Sequence, residues 1–559
     1  MRGLFVALLL AAAPVAAEPL YIVNGLIVDG SGGEPYRGWL SFEGDRILAM
    51  GRNWPPGRLA HDAKMFDAKG QAIAPGFINM LSWSNESLLV DGRALSDLKQ
   101  GVTLEVMGEG TSMGPWTDAM KRTREARQDD IKYKVMWTTL GEYLTMLEAN
   151  GIAVNVASFV GASTVRVNVL GENNVQPTPP QLAQMQGLVK AAMHEGALGV
   201  GSALIYTPGN YAGTAELTAL ATAAGQCGGM YISHIRNEGP TIEAALDEII
   251  SISRNSGARA EIYHLKQAGR ANWGKYDDVI ARIEKARAAG VQLTANMYSY
   301  AASSTGLDAS MPLWVQEGGI EQWVARMKDP ASRARVIAEM QNPPPGETNS
   351  MQEAGGPEKV LLLGFRSEAL KPQTGKTLAE VAASRGKSAE ETAIDLVIED
   401  GSRIQVAYFS MNEENVRKQV ALPWISFGSD AEAQAPEGVF LKSSTHPRAY
   451  GNFARVLGRY VRDEKVISLG EAVRKLAALP ADHLRIEGRG RLKPGNFADI
   501  VIFDPATIAD TATFAKPQQL AVGVSHVWVN GVQVLKGGEA TGAGAGRFVK
   551  GPGAGKCPV

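Results

Sequence analysis

Four side chains that can bind a metal or carry a proton lie at the ends of predicted buried strands. His234 ends the strand GMYISHI, His264 lies in ARAEIYHLK, and Asp430 ends WISFGSD. Glu109 follows a fourth strand, VTLEVMG, in a glycine-rich loop. In barrels the carboxyl ends of parallel strands meet on one face, where the active site lies. A metal held there can polarise a carbonyl and activate water, so the pattern indicates a metal-dependent hydrolase.

Eight predicted strands position these residues. They alternate with stretches of helical spacing, such as PPQLAQMQGLVKAAMHEG, which begins with proline and ends on glycine. This alternation favours a parallel sheet, and eight such units predict an α/β fold with a (β/α)8 TIM-like barrel. The predicted strands are 72–81, 102–108, 153–161, 198–206, 229–235, 258–266, 291–300 and 424–430.

Both ends of the chain show the period-two alternation of β-strands. Residues 20–70 and 498–540 carry it, and we expect them to pair as a small β-sandwich. The stretch 305–423 is too long for one helix, which predicts an insertion between barrel strands 7 and 8. Such an insertion can act as a lid over the barrel mouth, or be a helical excursion without a role in closure. The predicted domains are a signal peptide (1–17), the two sandwich segments (18–71 and 485–545), the barrel (72–484) and a flexible tail (546–559).

The first 17 residues have the pattern of a cleavable signal peptide. Arg2 is followed by an apolar stretch at 4–13 and by the small residues Val15-Ala16-Ala17. We therefore expect an exported protein, periplasmic or secreted. The apolar stretch is shorter than the roughly 20 residues that span a bilayer, so no membrane association of the mature chain is expected.

Composition and net charge limit which kinds of molecule the protein is expected to bind. The 559 residues are 45% hydrophobic and 20% charged, as in ordinary globular proteins, and the net charge of −2 gives no basic surface for nucleic acid. We expect a small-molecule substrate, whereas the sequence leaves the oligomeric state open. An exported protein can pair its two cysteines, Cys227 and Cys557, but sequence separation does not decide whether they meet.

A series of longer motifs runs in order along nearly the whole mature chain. It includes APGFIN, QGVTLEVMGEG, ALGVGSALIYTPGNYA, ISHIRNEG, HLKQAGRANWGK, SFGSDAEAQAPEG, STHPRAYGNFARVLGRYV and LKPGNFADIVIFDP. This series resembles the amidohydrolase superfamily and, within it, the D-aminoacylases (N-acyl-D-amino-acid deacylases). The resemblance implies a barrel metallohydrolase that cleaves an amide bond.

The sequence departs from the family pattern at the first barrel strand. In the family this strand ends with His-x-His, which holds one of two metal positions, whereas here those places are Leu81 and Trp83. The aspartate usual in the same motif is Asn79. Leucine and tryptophan cannot bind a metal, and an indole occupies space that a second metal would need. The chain therefore resembles a variant of the family that lacks His-x-His.

The remaining positions still match a ligand set. Glu109 stands in the loop where the family commonly has a cysteine ligand, and His234, His264 and Asp430 match its fifth-, sixth- and eighth-strand residues. Three protein ligands and an open position suit hydrolytic zinc, so we predict one zinc per chain on Glu109, His234 and His264, with iron, cobalt or manganese as alternatives. Asp430 is the predicted catalytic residue that moves the proton. The alternatives are structural histidines, a Glu109 that binds backbone amides and an Asp430 that caps its strand.

The resemblance also implies substrate-binding residues. Lys266 and Tyr298 match positions that would hold the carboxylate of an acylated amino acid, a task that suits a cation and a phenol. Arg236 and His446 are further candidates. Arg236 can instead pair with Glu238, Lys266 can form a loop ion pair, and His446 can make a structural hydrogen bond.

These residues predict a metal-dependent amidohydrolase that cleaves N-acyl-D-amino acids through a metal-bound hydroxide. Its preference for the D configuration is implied by the resemblance alone. One alternative is the same chemistry on a dipeptide, a cyclic amide or a lactone. The other, motivated by the missing His-x-His, is a catalytically degenerate barrel that binds a ligand without cleaving it.

Overall fold

The computed structural model describes residues 18–55 and 63–558, which form a mixed α/β fold. The predicted signal peptide at 1–17 lies outside the described residues. None of the described helices combines the length and the apolar composition that a membrane-spanning helix needs.

Strands from both ends of the chain pair in one nine-stranded sheet. β5 (Ala72–Pro75) joins the two ends, because it lies parallel to β1 (Leu20–Ile27) and antiparallel to β18 (Ile500–Phe503). Side chains from this sheet form a separate buried apolar cluster that includes Ile22, Leu40, Ile73, Ile500 and Trp528. The strands are β1 (Leu20–Ile27), β2 (Tyr36–Glu43), β3 (Arg46–Arg52), β4 (Lys64–Asp67), β5 (Ala72–Pro75), β18 (Ile500–Phe503), β19 (Val524–Val529), β20 (Val532–Lys536) and β21 (Glu539–Ala540).

The strands that carry the candidate site pair in parallel and in chain order, in two sheets of three and six strands. A parallel bridge between Ser82 and Ala431 links the first of them to the last. They are β6 (Phe77–Asn79), β7 (Val102–Met107), β8 (Asn155–Ser158), β9 (Val160–Gly161), β10 (Gly199–Ala203), β11 (Met230–His234), β12 (Arg259–Ile262), β13 (Leu293–Met297) and β17 (Ile425–Phe427).

The predicted strand 72–81 is divided between two sheets. Residues 72–75 pair with the terminal strands and residues 77–79 with β7. The break falls at Pro75-Gly76, where proline cannot donate a ladder hydrogen bond. A side chain at Gly76 would also collide with Thr103, because a Cβ there would lie 2.1 Å from its Oγ1.

Most of the helices that connect these parallel strands bury apolar side chains, whereas α3 (Asp118–Ala126) has no buried residue. α6 shows the local signals, since Thr178 and Gln181 form a capping box, Pro179 begins the helix and Gly196 follows it. The helices are α1 (Ser87–Val90), α2 (Leu95–Leu98), α3 (Asp118–Ala126), α4 (Leu140–Ala149), α5 (Ala162–Leu170), α6 (Pro179–Glu195), α7 (Thr214–Gln226), α8 (Ile242–Ser256), α9 (Tyr276–Ala288), α15 (Glu413–Ala421), α16 (Arg448–Arg455), α17 (Leu469–Val473) and α18 (Leu479–Leu484).

Residues 303–408 contain a small sheet and five helices with an apolar cluster of their own. The elements are β14 (Ser303–Gly306), β15 (Val360–Gly364), β16 (Gln405–Tyr408), α10 (Ile320–Lys328), α11 (Pro330–Gln341), α12 (Ser350–Ala354), α13 (Leu378–Arg385) and α14 (Ala389–Asp400). Helix α15 falls within the predicted insertion at 305–423, but Val416 and Val420 on it are buried in the main core.

The segment 546–558, expected to be a flexible tail, is instead packed against the amino ends of the parallel strands. Phe548 forms a β-bridge with Val156, and Gly551 donates a hydrogen bond to Gly196. Cys557 is disulfide-bonded to Cys227. The prediction of flexibility rested on glycine content, but here several glycines allow close backbone approach, as at Gly546, where a Cβ would lie 1.9 Å from the Val154 carbonyl oxygen.

Candidate metal centre

Three potential metal ligands meet at the carboxyl ends of neighbouring strands. Glu109 follows β7, His234 ends β11 and His264 follows β12. His234 Nδ1 lies 3.2 Å and His264 Nε2 2.9 Å from Glu109 Oε1. One ligand atom from each residue lies within 4.8 Å of the others, and among the described residues this is the one group of three or more such side chains. The structure therefore brings the three predicted ligands together.

The electrostatics of this group fit a bound cation. Burial opposes ionisation of Glu109, but His264 and His234 outweigh it and hold the pKa of that carboxyl well below its usual range. Burial and Lys266 lower the pKa of His264, yet Glu109 and Glu238 outweigh them and raise it to about 9. Burial lowers the pKa of His234 although Glu238 opposes it. Without a metal, the cluster thus holds a proton on His264 where a cation would otherwise sit.

An unpartnered atom provides a second sign of a ligand. His234 Nε2 is buried and accepts or donates no hydrogen bond, although Glu238 Oε2 lies 3.5 Å away. Buried polar atoms are rarely left without a partner unless a ligand or ion completes them. Two imidazoles and one carboxylate are a donor set that zinc accepts, and three protein ligands leave a position for water or substrate.

Glu238 is a site residue that the sequence analysis did not identify. Its Oε1 lies 2.6 Å from Lys266 Nζ and 3.2 Å from His264 Nδ1. Lys266 Nζ also lies 2.8 Å from His264 Nδ1. Burial raises the pKa of Glu238, but His234, Lys266 and His264 outweigh it and hold the pKa well below its usual value. The available signal was the position of Glu238 four residues after His234. From the sequence, Glu238 was considered only as an ion-pair partner of Arg236.

Arg236 does not reach this cluster, although it was predicted to bind substrate. Its guanidinium donates to both carboxylate oxygens of Glu248, at 2.9 Å each, and to the carbonyls of Asn210 and Ala212. Glu248 lies on α8, outside the parallel strands. These partners satisfy the guanidinium and turn it away from the metal ligands.

Asp430 lies at the end of β17 and is held from two sides. Its Oδ1 accepts a hydrogen bond of 3.0 Å from Trp83 Nε1, and its Oδ2 lies 2.8 Å from Arg448 Nη2. Its backbone has a φ of +50° and that of His264 a φ of +33°. Non-glycine residues rarely adopt such angles, and they concentrate at functional sites. Asp430 thus has the setting of a functional side chain.

Tyr298 lies close to both Lys266 and Arg448. Its buried ring lies 5.7 Å from Lys266 Nζ and 4.4 Å from Arg448 Cζ, on centroid distances. Two nitrogens of Arg448, Nε and Nη1, are buried without a hydrogen-bond partner. Arg448 is not among the residues predicted from the sequence, because its sequence context, THPRAYG, does not reveal what its guanidinium faces.

His446 was predicted to bind substrate, but both of its ring nitrogens are engaged with the backbone. Nε2 lies 3.1 Å from the carbonyl oxygen of Ala302, and Nδ1 accepts a hydrogen bond from the Arg448 amide at 3.0 Å. Burial and Arg448 hold its pKa well below the ordinary range, so the imidazole is neutral. His446 therefore positions the Arg448 loop, which is the structural alternative that the sequence left open.

The parallel strands and the buried His, His and Glu at their carboxyl ends define a metal-dependent hydrolase. The model of the amidohydrolase family matches residues 64–535, and the chain belongs to this family. The family predicted from the sequence is thereby confirmed.

Relatives with known activities cover nearly the whole chain. An N-acyl-D-glutamate deacylase of Alcaligenes xylosoxydans xylosoxydans is 32% identical over 92% of this chain and 93% of its own length. A D-aminoacylase of the same organism is 32% identical over 95% of this chain and 97% of its own. These matches confirm the predicted resemblance to D-aminoacylases.

Solved structures give the same grouping. The crystal structure of a D-aminoacylase superposes with a TM-score of 0.78 at 30% identity, covering 95% of this chain and 99% of its own. The N-acyl-D-glutamate deacylase from Bordetella bronchiseptica, complexed with zinc and a phosphonate inhibitor, gives 0.77 at 28% identity and covers 96% and 100%.

Proposed function

We propose that this protein is a zinc-dependent amidohydrolase that removes the acyl group from N-acyl-D-amino acids. The observation that carries the proposal is the buried Glu109, His234 and His264 group with its unpartnered His234 nitrogen. The deacylase activities of the relatives support the substrate class. One zinc on these three ligands would supply Lewis-acid activation of the amide carbonyl and of water.

Arg448, Lys266 and Tyr298 are the proposed binding site for the substrate carboxylate. Arg448 offers two buried N–H groups that lack acceptors, and it contacts the same tyrosine ring as Lys266 does. A buried guanidinium with free donors suits a charge-assisted hydrogen bond to a carboxylate. Glu238, which already pairs with Lys266, keeps that lysine oriented towards His264.

Asp430 is the proposed catalytic acid-base group. Its carboxylate is held at the same end of the parallel strands as the metal ligands, so it can accept a proton from the attacking water and return it to the departing amine. The chain's own residues thus bind the carboxylate end of the substrate, hold the carboxylate that moves the proton and keep both beside the metal ligands.

The finer architecture is part of the same proposal. The parallel ladder and its Ser82–Ala431 bridge support a (β/α)8 barrel, and the nine-stranded sheet supports a β-sandwich formed by both chain ends. The separate core of residues 303–408 supports an insertion between barrel strands 7 and 8. We also propose export, which the pattern of residues 1–17 and the Cys227–Cys557 disulfide support, because disulfides persist in oxidising compartments. N-terminal sequencing of periplasmic protein would test it.

The test is hydrolysis by the zinc-loaded protein. N-acetyl-D-amino acids, their L enantiomers, dipeptides, cyclic amides and lactones would be compared, with metal content measured on the same sample. Faster turnover of N-acyl-D substrates, reduced to a small residual rate in Asp430→Asn with zinc still bound, is the expected result. Faster turnover of another class would replace the substrate, and zinc binding without any turnover would favour the ligand-binding barrel that the missing His-x-His suggested.

A further inference from the structure

Trp83 occupies the place of the second histidine of the family's first-strand motif. We propose that Trp83 is a positioning residue, whose indole N–H holds the Asp430 carboxylate in the orientation that proton transfer requires. The proposal rests on the function proposed above, since it assigns Trp83 a part in that reaction. It also gives a role to Trp83, which cannot bind a metal although it stands where the family has a histidine ligand.

The backbone brings Trp83 to Asp430. The Asp430 amide donates to the Leu81 carbonyl at 2.9 Å, and the Trp83 amide donates to the Ala431 carbonyl at 3.0 Å. These bonds flank the parallel bridge between Ser82 and Ala431. The two segments are therefore joined on either side of Ser82, and this pairing fixes the Trp83 backbone beside Asp430.

Each oxygen of Asp430 has a different kind of partner. Trp83 Nε1 donates to Oδ1 at 3.0 Å, and Arg448 Nη2 lies 2.8 Å from Oδ2. An indole N–H is a neutral donor that does not titrate, so it can orient a carboxylate without adding charge. Arg448 is also the proposed partner of the substrate carboxylate, which would share the guanidinium with Asp430. Trp83 is then the donor that keeps Asp430 oriented while substrate is bound.

Neighbouring residues leave Asp430 few other anchors. Its φ of +50° puts its backbone in a region that is costly for aspartate, and Leu81, the other replaced ligand position, is fully buried in an apolar cluster. Within the described residues, Trp83 is the side chain that donates to Oδ1. Removing the N–H should therefore loosen the carboxylate without touching the metal ligands.

The test compares Trp83→Phe, which keeps an aromatic ring but lacks the N–H, with the unaltered protein. We expect kcat to fall roughly 10- to 100-fold, the range for losing a hydrogen bond to a charged group, with KM and zinc content unchanged. Trp314→Phe is the matched control, because Trp314 Nε1 donates to Glu339 at 2.6 Å in the insertion. That control should keep the kcat of the unaltered protein.

Two further measurements separate positioning from a structural role. In an Asp430→Asn background, Trp83→Phe should leave the residual kcat unchanged, because residues acting as a unit are non-additive. In ultraviolet resonance Raman spectra, Asp430→Ala should shift an indole N–H band, and that shift should vanish when Trp83 is already phenylalanine.

The proposal is overturned if Trp83→Phe keeps its kcat, or lowers kcat equally with and without Asp430. It is also overturned if the Raman spectrum does not respond to Asp430→Ala. If instead the unaltered protein binds zinc but cleaves no N-acyl-D-amino acid, the proposed function fails. The Raman comparison would still report on the Trp83–Asp430 bond, so the two failures can be told apart.

Discussion

At the scale of single residues, we expect a proton on His264 to compete with a metal for the site. Glu109 and Glu238 raise its pKa to about 9 in the metal-free protein, whereas a ligating imidazole must be neutral. Below about pH 9 zinc must displace that proton, so zinc affinity should fall as the pH falls from 9 to 7. Calorimetric titration of the metal-free protein in buffers of different ionisation enthalpy would measure the protons released.

We expect about one proton released per zinc at pH 7, and fewer as the pH approaches 10. His194→Gln is a suitable control, because His194 contacts the Cys557 carbonyl at the opposite end of the strands. An affinity that does not change between pH 7 and pH 9 would contradict the protonation assigned to His264.

Arg448 carries a second prediction at this scale. Arg448→Met should raise KM for an N-acyl-D-amino acid about 10- to 100-fold, because a charge-assisted pair with the substrate carboxylate is lost. The same variant should show little change in KM for a substrate whose carboxylate is capped as a carboxamide. Its kcat should fall for both substrates, since Arg448 also contacts Asp430.

Arg236→Met is the matched control for Arg448→Met. It removes a guanidinium that faces Glu248 instead of the site, so KM should not respond. An equal rise in KM for the capped and uncapped substrates would show that Arg448 does not bind the carboxylate.

At the scale of elements, Asn79 joins β6 to the residues around it. Its Nδ2 lies 2.9 Å from Asp97 Oδ2 and 2.9 Å from Glu105 Oε2, and its Oδ1 accepts from the Ser429 amide at 2.8 Å. Burial, and next the charge of Glu105, raises the pKa of Asp97 well above its usual value. An amide can donate to these two carboxyl groups, which an ionised aspartate at the same place cannot do.

Asn79→Asp, which restores the residue usual in the family motif, should therefore destabilise this protein. We expect a loss of roughly 3 kcal/mol or more at pH 8, because a third buried carboxyl group meets two others. The folded state must then bind more protons than the unfolded state, so its stability falls as the pH rises. Urea unfolding at pH 5 and pH 8 would measure the loss, which should be smaller at pH 5.

Asn79→Ala serves as the comparison, because it removes the same hydrogen bonds without adding a charge. Its loss of stability should depend less on pH than that of Asn79→Asp. Equal pH dependence in the two variants would mean that the carboxyl groups of Asp97 and Glu105 are not the reason why an amide is needed at position 79.

At the scale of the whole molecule, the C-terminal segment 546–558 packs against the end of the parallel strands opposite the site. It crosses the amino ends of β8, β10 and β11 and is closed by the Cys227–Cys557 disulfide, which joins residues 330 apart in sequence. Closing a long loop restricts the unfolded chain, so the double variant Cys227→Ser/Cys557→Ser should lose roughly 2–5 kcal/mol.

Thermal unfolding with and without dithiothreitol would measure this loss. The unaltered protein should lose stability on reduction, and the double serine variant should not respond to the reductant. Turnover at 25 °C should change little, since the metal ligands lie at the other end of the strands. An unfolding temperature that is the same in both redox states would contradict a stabilising role for the disulfide.

The sequence by itself determined the features that depend on local pattern. Alternating strands and helices, and histidines at the ends of apolar strands, identified the parallel strands and brought Glu109, His234 and His264 together as ligands, because strand ends share one face. Glu238, Arg448 and Trp83 acquired their roles only through contacts between loops. Neither the Glu238 contact with Lys266 nor the Trp83 contact with Asp430 is visible in local periodicity.

The tertiary structure also decided between alternatives that the sequence left open. The sequence offered Arg236 a substrate or Glu238 as its partner, whereas its guanidinium pairs with Glu248 on α8. The glycine-rich end of the chain was expected to be flexible, yet its glycines fit closely against the strands and its cysteine meets Cys227. Such outcomes depend on which groups packing brings within hydrogen-bonding or bonding distance. Local sequence specifies the elements, whereas only the folded chain sets the distances between them.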